Sequence, residues 1–210
     1  MNNLHDLLNW KLLKGSHDFP GPDGGTCINE AALVVDGFEY RSVHGVADLP
    51  LCFSRPIAAF AIQLNDRFSN ADRQRLVPFV TRLAGSADTQ EVEFQRVQLI
   101  VLRTTKEIVA PLYDLIGLKE QAESLRSCDW GNCQERLRNA ADAAAYAAKY
   151  AAAYAAYAAD AADAAAYAAH IVTTQLSILD EALSIGKQAE PIEIAVIKER
   201  VQKAKELARV

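Results

Sequence analysis

His17, Cys27, Glu30 and Cys52 are the side chains in the first quarter of the sequence whose types could do chemistry together. Cys27 and Glu30 are three residues apart, which places them on one face if the segment is helical. A nucleophilic cysteine needs a base to take its proton and a donor for the developing oxyanion; His17 fits the first need and an amide of the neighbouring loop the second. Cysteine, histidine and glutamate are also zinc-ligand types. The commoner state of such a cysteine is a small buried hydrophobe.

The loop GSHDFPGPDGGTCINEAA carries Gly24 and Gly25 just ahead of a helix start. A glycine turn feeding a helix N-terminus can cradle an anion, and a rigid turn capped by Asp23 or Thr26 is the alternative. No lysine follows as in a phosphate-binding loop. Arg41 and Arg55 are the cations nearest in sequence. The candidate ligand-binding residues are therefore His17, Asp23, Gly24, Gly25, Cys27, Glu30, Arg41 and Arg55. Nothing in the sequence assigns a catalytic residue, a metal site or a cofactor. An enzyme using His17, Cys27 and Glu30, dependent on thiol or metal chemistry, is the alternative to a binding protein.

The elements that position these residues read as helices throughout, so the expected fold is all-α. Leu4, Leu7, Leu8 and Leu12 keep helical spacing and Gly15 supplies a stop. INEAALVVDG is a short helix, and FEYRSVHGVADLPL has room for a brief extended piece. Ser54 with Arg55 and Pro56 opens a helix, and Ser69 or Asn70 caps the next, which contains Pro78 and ends at Gly85. Thr89 begins a longer helix limited by Pro111. Asn132 and Glu135 have capping-box spacing, with asparagine in place of serine.

From there neither proline nor glycine occurs until Gly186. One uninterrupted helix of roughly 53 residues would be about 80 Å long, against a diameter of about 43 Å for a compact chain of this size. Such a helix must project, break or pack against something equally long. Beyond Gly186, Pro191 opens a last helix. Its stripe Ile194, Ile197, Val201 and Ala204 answers the stripe Val172, Leu176, Leu179 and Leu183, which suggests a C-terminal helical hairpin. The composition changes abruptly near Asn139, which favours two parts: an N-terminal helical domain, 1–128, and an oligomerising part, 129–210.

Between 139 and 170 the non-alanine residues fall on one arc of about 200° and leave the rest to alanine. Tyr146, Tyr150, Tyr154 and Tyr157 lie together, flanked by Asp142, Lys149, Asp160 and Asp163. Alanine has the highest helix propensity, and a face of methyl groups lets a second backbone approach closely, recovering in dispersion contacts what small side chains lack in area. A smooth face requires a smooth partner, and a second copy supplies one. Ala144, Ala148, Ala152, Ala155, Ala159, Ala162 and Ala166 are the expected contact residues of a homo-oligomer. The rival arrangement packs the same helix inside its own bundle.

A net charge of −5 with cations scattered among acids disfavours a nucleic-acid partner. The N-terminus lacks the apolar core of a signal peptide, and charged residues interrupt the alanine segment, so no membrane span is expected and the expected location is cytoplasmic. Cys128 and Cys133 are separated by DWGN, not the two residues of a CxxC pair, and four free thiols are the expectation in a reducing compartment.

The stretches GSHDFPGPDGGTCINEAALVVDGFEY, LPLCFSRPIAAFAIQLNDRF and LVPFVTRLAG resemble an uncharacterised family of bacterial and phage-associated proteins. Its members look alike over most of the part preceding an alanine-rich tail with periodic aromatic and charged residues. His17, Asp23, Gly24, Cys27, Glu30, Cys52, Asn65 and Asp66 fall in the matching stretches. The resemblance implies no established activity. The expected function is a non-enzymatic, self-associating helical binding protein with a protein partner or a small anionic ligand. In a phage or defence setting it would inhibit a host factor or sequester a small nucleotide signal.

Overall fold

A computed structural model describes residues 11–18, 25–150 and 161–207, and for 144–150 and 161–166 the backbone alone. The described chain is all-α apart from two short strands. It forms two compact units, Met1–Arg96 with Leu179–Val210, and Val97–Ile178. These units cut the chain elsewhere than the expected division after residue 128.

The first unit is built around α1 (Ile28–Val35), every residue of which is buried. Its sequence INEAALVV is apolar nearly all round, as a central helix must be. Packed against it are α2 (Arg55–Arg67) and α4 (Val80–Leu83), and between these lie α3 (Asn70–Arg73) and a 3₁₀ turn, Gln74–Phe79, that absorbs Pro78. Ile57, Leu64, Leu76 and Leu83 complete the core. Ser69 caps α3 through the Asp72 amide at 3.1 Å, one of the two caps expected there.

Strands β1 (Lys11–Leu12) and β2 (Gly25–Thr26) pair in parallel, Lys11 with Gly25 and Leu12 with Thr26. The helical spacing read through Leu12 is thus overridden at its described end. The Gln74 side-chain amide satisfies both the N–H (3.2 Å) and the C=O (2.9 Å) of Leu12, doing for the backbone what a third strand would do.

The helix capped by Thr89 is α5 (Gln90–Thr104). Pro111 does not end it. A π turn, Thr105–Val109, carries it into α6 (Ala110–Leu115). In the second unit α6 packs on α7 (Lys119–Arg126), and α7 on α8 (Cys133–Tyr150). Ala110, Leu125 and Ala140 form the centre, with Val109, Tyr113 and Leu137 against it. The Asn132 side chain reaches back to the Asp129 amide at 3.0 Å.

The alanine-rich stretch appears as α8 and as α9 (Ala161–Ser184). Ala152, Ala155 and Ala159 lie outside the described residues, and the side chains of Ala144, Ala148, Ala162 and Ala166 likewise. The last helix, α10 (Ile194–Leu207), packs on α1, where Arg200 Nη1 donates to the Val35 carbonyl at 2.7 Å. That contact closes the C-terminal end of α1, which has no basic residue of its own. Among the described residues no helix is long and apolar enough to cross a membrane.

Candidate functional site

Glu30 is the only acid in α1, and its side chain is wholly buried. A buried carboxylate needs donors, and they come from three stretches of chain. Oε1 accepts from the Ser16 hydroxyl (3.0 Å), the His17 amide (3.0 Å) and the Val43 amide (3.1 Å). Oε2 accepts from the Cys27 amide (2.8 Å) and the Thr26 hydroxyl (3.3 Å), with His17 Nδ1 at 3.4 Å. Burial raises the carboxyl, but the amides of Cys27, His17 and Val43 and the Ser16 hydroxyl outweigh it and hold Glu30 below its ordinary value.

Cys27 is the N-cap of α1. Its sulfur accepts from the Glu30 amide at 3.4 Å while the Glu30 side chain returns to the Cys27 amide, a capping box with a thiol in the hydroxyl's place. Burial, and then the negative charge of Glu30, push the Cys27 thiol well above its usual range. The same two causes raise Tyr40, whose hydroxyl donates to the His17 carbonyl at 2.5 Å beside that of Ser42 at 2.9 Å.

Asn65 and Asp66, at the end of α2, fasten the segment before His17. Asn65 Nδ2 donates to the Leu13 carbonyl (2.7 Å), its Oδ1 accepts from the Ile28 amide (3.3 Å), and Asp66 accepts from the Gly15 amide (2.9 Å). A cavity of about 220 Å³ lies here, lined in part by Ser16, Cys27, His44, Asn65 and Asp66.

The sequence candidates therefore divide. His17, Cys27 and Glu30 converge, and Gly25 lies beside them in β2. Asp23 and Gly24 lie outside the described residues. The Ile28 and Glu30 amides, which an anion at the helix start would use, already serve Asn65 and the Cys27 sulfur. Arg55 Nη1 donates to the Val46 and Leu49 carbonyls. Arg41 is exposed, and Cys52 is half-buried with its carbonyl on the Ala87 amide at 2.9 Å. No group of three or more metal-ligand residues occurs among the described residues.

No protein-family model, curated protein or solved structure matches this chain.

The sequence reading did not single out Ser16, Tyr40, Ser42, Val43 or Gln74. The available signal was Glu30 itself, since one acid inside INEAALVV demands donors from elsewhere. It also missed a second cavity of about 840 Å³, lined by Asp36, Phe38, Tyr40, Arg200, Lys203 and Leu207 among others. Asp36, Glu39 and Glu199 face it along with Arg200 and Lys203, so its charge is mixed.

Proposed function

We propose that the protein is a non-enzymatic, self-associating helical binding protein. The observation that carries the first half is the state of Cys27, Glu30 and His17. The thiol is raised by burial and an adjacent carboxylate, the reverse of what a nucleophile needs. The carboxylate is saturated by donors that hold the fold together. Catalytic residue types here do structural work. Iodoacetamide in excess at mildly alkaline pH tests this: Cys27 should alkylate far more slowly than Cys52 in the native protein. A Cys27 that outpaces a free thiol would restore the enzyme reading.

Self-association rests on the alanine segment, whose bare arc fits a second copy, with the long helix as the assembling part. On a wheel of about 100° per residue, Ala144 and Ala162 stand at the centre of that arc, whereas Ala152 falls at its margin, at the angle of His170. Ala162→Glu puts a long charged side chain at that centre. Overpacking a close helix contact costs about 1–3 kcal/mol at each site, and symmetry repeats that cost in every subunit. Light scattering should find a wild-type oligomer that weakens or dissociates in the variant; a wild-type monomer at high concentration overturns the reading.

The first unit is the part presented to a partner. The 840 Å³ cavity is in the size range of ligand pockets, but its mixed charge favours a protein or peptide partner over a small anion. A cytoplasmic phage or defence protein that blocks a host factor is the setting the family resemblance adds.

A further inference from the structure

The cavity of about 840 Å³ has a neighbour in the first unit. A cavity of about 470 Å³ is lined by the start of α10, and the two share Asp36 and Arg200 as lining residues. Together they make a groove beside α10, whose stretch from Val196 to Leu207 spans about 16 Å at 1.5 Å per residue. Phe38, Val196 and Leu207 line this groove and are 37%, 36% and 65% exposed. Large apolar side chains left open along one groove mark an interaction surface. The charge there is unbalanced. Asp36, Glu39, Glu190, Glu193 and Glu199 line the groove against Lys187, Arg200 and Lys203, and Arg200 is already committed to the Val35 carbonyl at 2.7 Å. Among the described residues no donor lies within hydrogen-bonding distance of any of these five carboxylates. Asp36, which both cavities share, is half-buried, and that burial raises its carboxyl above the ordinary value although the charge of Arg200 opposes it. A half-buried carboxylate without a donor calls for a cation.

We propose that this groove docks a basic amphipathic helix of a partner protein, its apolar residues against Phe38, Val196 and Leu207 and its lysines or arginines against the five acids. The inference rests on the reading of the first unit as the part presented to a partner. Charge complementarity sets the sign of the occupant, because like charges facing one another across an interface exclude an acidic segment. The walls of the groove set its conformation. No strand edge lines either cavity among the described residues, so an extended segment would find no backbone to pair with. A helix satisfies its own amides and offers anchors at i, i+3 and i+4. About three turns match the length of the groove.

The test selects displayed random peptides of roughly 15 residues, long enough for about four helical turns, on the full-length protein. Enriched sequences should combine lysine or arginine with apolar residues at helical spacing. In a fluorescence-anisotropy titration such a peptide should bind wild type and weaken as salt rises. It should weaken about tenfold or more in a Glu193→Lys, Glu199→Lys variant, both positions being exposed. Leu207→Ser should weaken it too, but leave the salt dependence unchanged. Should the charge-reversed variant fail to fold, Glu39→Lys with Glu190→Lys, also at exposed positions, gives the same readout. Enriched acidic peptides whose binding depends on Lys187 and Lys203 would overturn the basic occupant and leave the partner reading standing. Peptides whose affinity ignores both the charge reversal and Leu207→Ser would overturn the groove as the docking face, and no enrichment at all would overturn the partner reading with it.

Discussion

Removing the Glu30 carboxylate strands donors on segments 16–17, 26–27 and 43 at once, because each turns inward to meet it. Glu30→Gln keeps the shape but points an NH₂ group at some of those donors. Leaving buried donors unmade costs about 1–3 kcal/mol each, so the variant should lose about 2–4 kcal/mol by urea unfolding at neutral pH. The pH dependence has a definite sign. Glu30 is held below its ordinary value in the folded state, so its contribution is complete above the unfolded value, about 4.3, and is lost as pH falls through the lower folded value. Wild-type stability should therefore drop on acidification below about pH 4, and this part of the drop should be missing from Glu30→Gln. Equal acid sensitivity in both proteins would show that other carboxyls govern the transition.

Pro111 has no amide to give the Glu107 carbonyl, four residues earlier, and the helix continues only because other groups serve that region. The Ala110 amide reaches back to the Thr105 carbonyl in the π turn, His170 Nε2 lies 3.3 Å from the Glu107 carbonyl, and the Tyr167 hydroxyl donates to the Ile108 carbonyl. His170→Ala should cost about 1 kcal/mol, the usual net worth of such a bond. Pro111→Ala restores an amide, so the same histidine substitution should cost measurably less in that background. A double-mutant cycle reads the coupling, and strict additivity would mean that His170 does not substitute for the missing N–H. These contacts also mark what was legible in the sequence. The caps at Ser69 and Thr89 and the stop at Gly85, whose φ is +74°, were readable because their chemistry is local. Strand β1 was not, since the Gln74 amide that holds Leu12 lies 62 residues away. The convergence of His17, Cys27 and Glu30 was open as a possibility. Its structural character was hidden because the decisive donors Ser16 and Val43 carry no spacing signal of their own.

The first unit is assembled from both ends of the sequence, and Arg96 stands where the chain leaves it. That guanidinium is fully buried and donates to the Ser86 carbonyl (2.7 Å), the Glu93 carboxylate (2.9 Å) and the Ile185 carbonyl (2.6 Å). Glu93 in turn accepts from the Ser54 hydroxyl at 2.5 Å, and Asp88 accepts from the Lys187 amide at 2.5 Å. A buried cation is costly unless every donor is met, and part of what meets Arg96 arrives only when the chain returns at 179–210. The same return brings Ile197 and Val201 into the core and Arg200 to the Val35 carbonyl. A chain truncated after Ile178 should therefore lose the first unit, leaving Arg96 without the Ile185 carbonyl and α1 without its last neighbour. Hydrogen exchange distinguishes the two cases. The amides of His17, Cys27 and Val43, protected by Glu30 in the full chain, should exchange freely in the truncated one, while those of α6 and α7 keep their protection. Protected amides at His17 and Cys27 in the truncated chain would mean that residues 11–96 hold this site without the returning C-terminal helix.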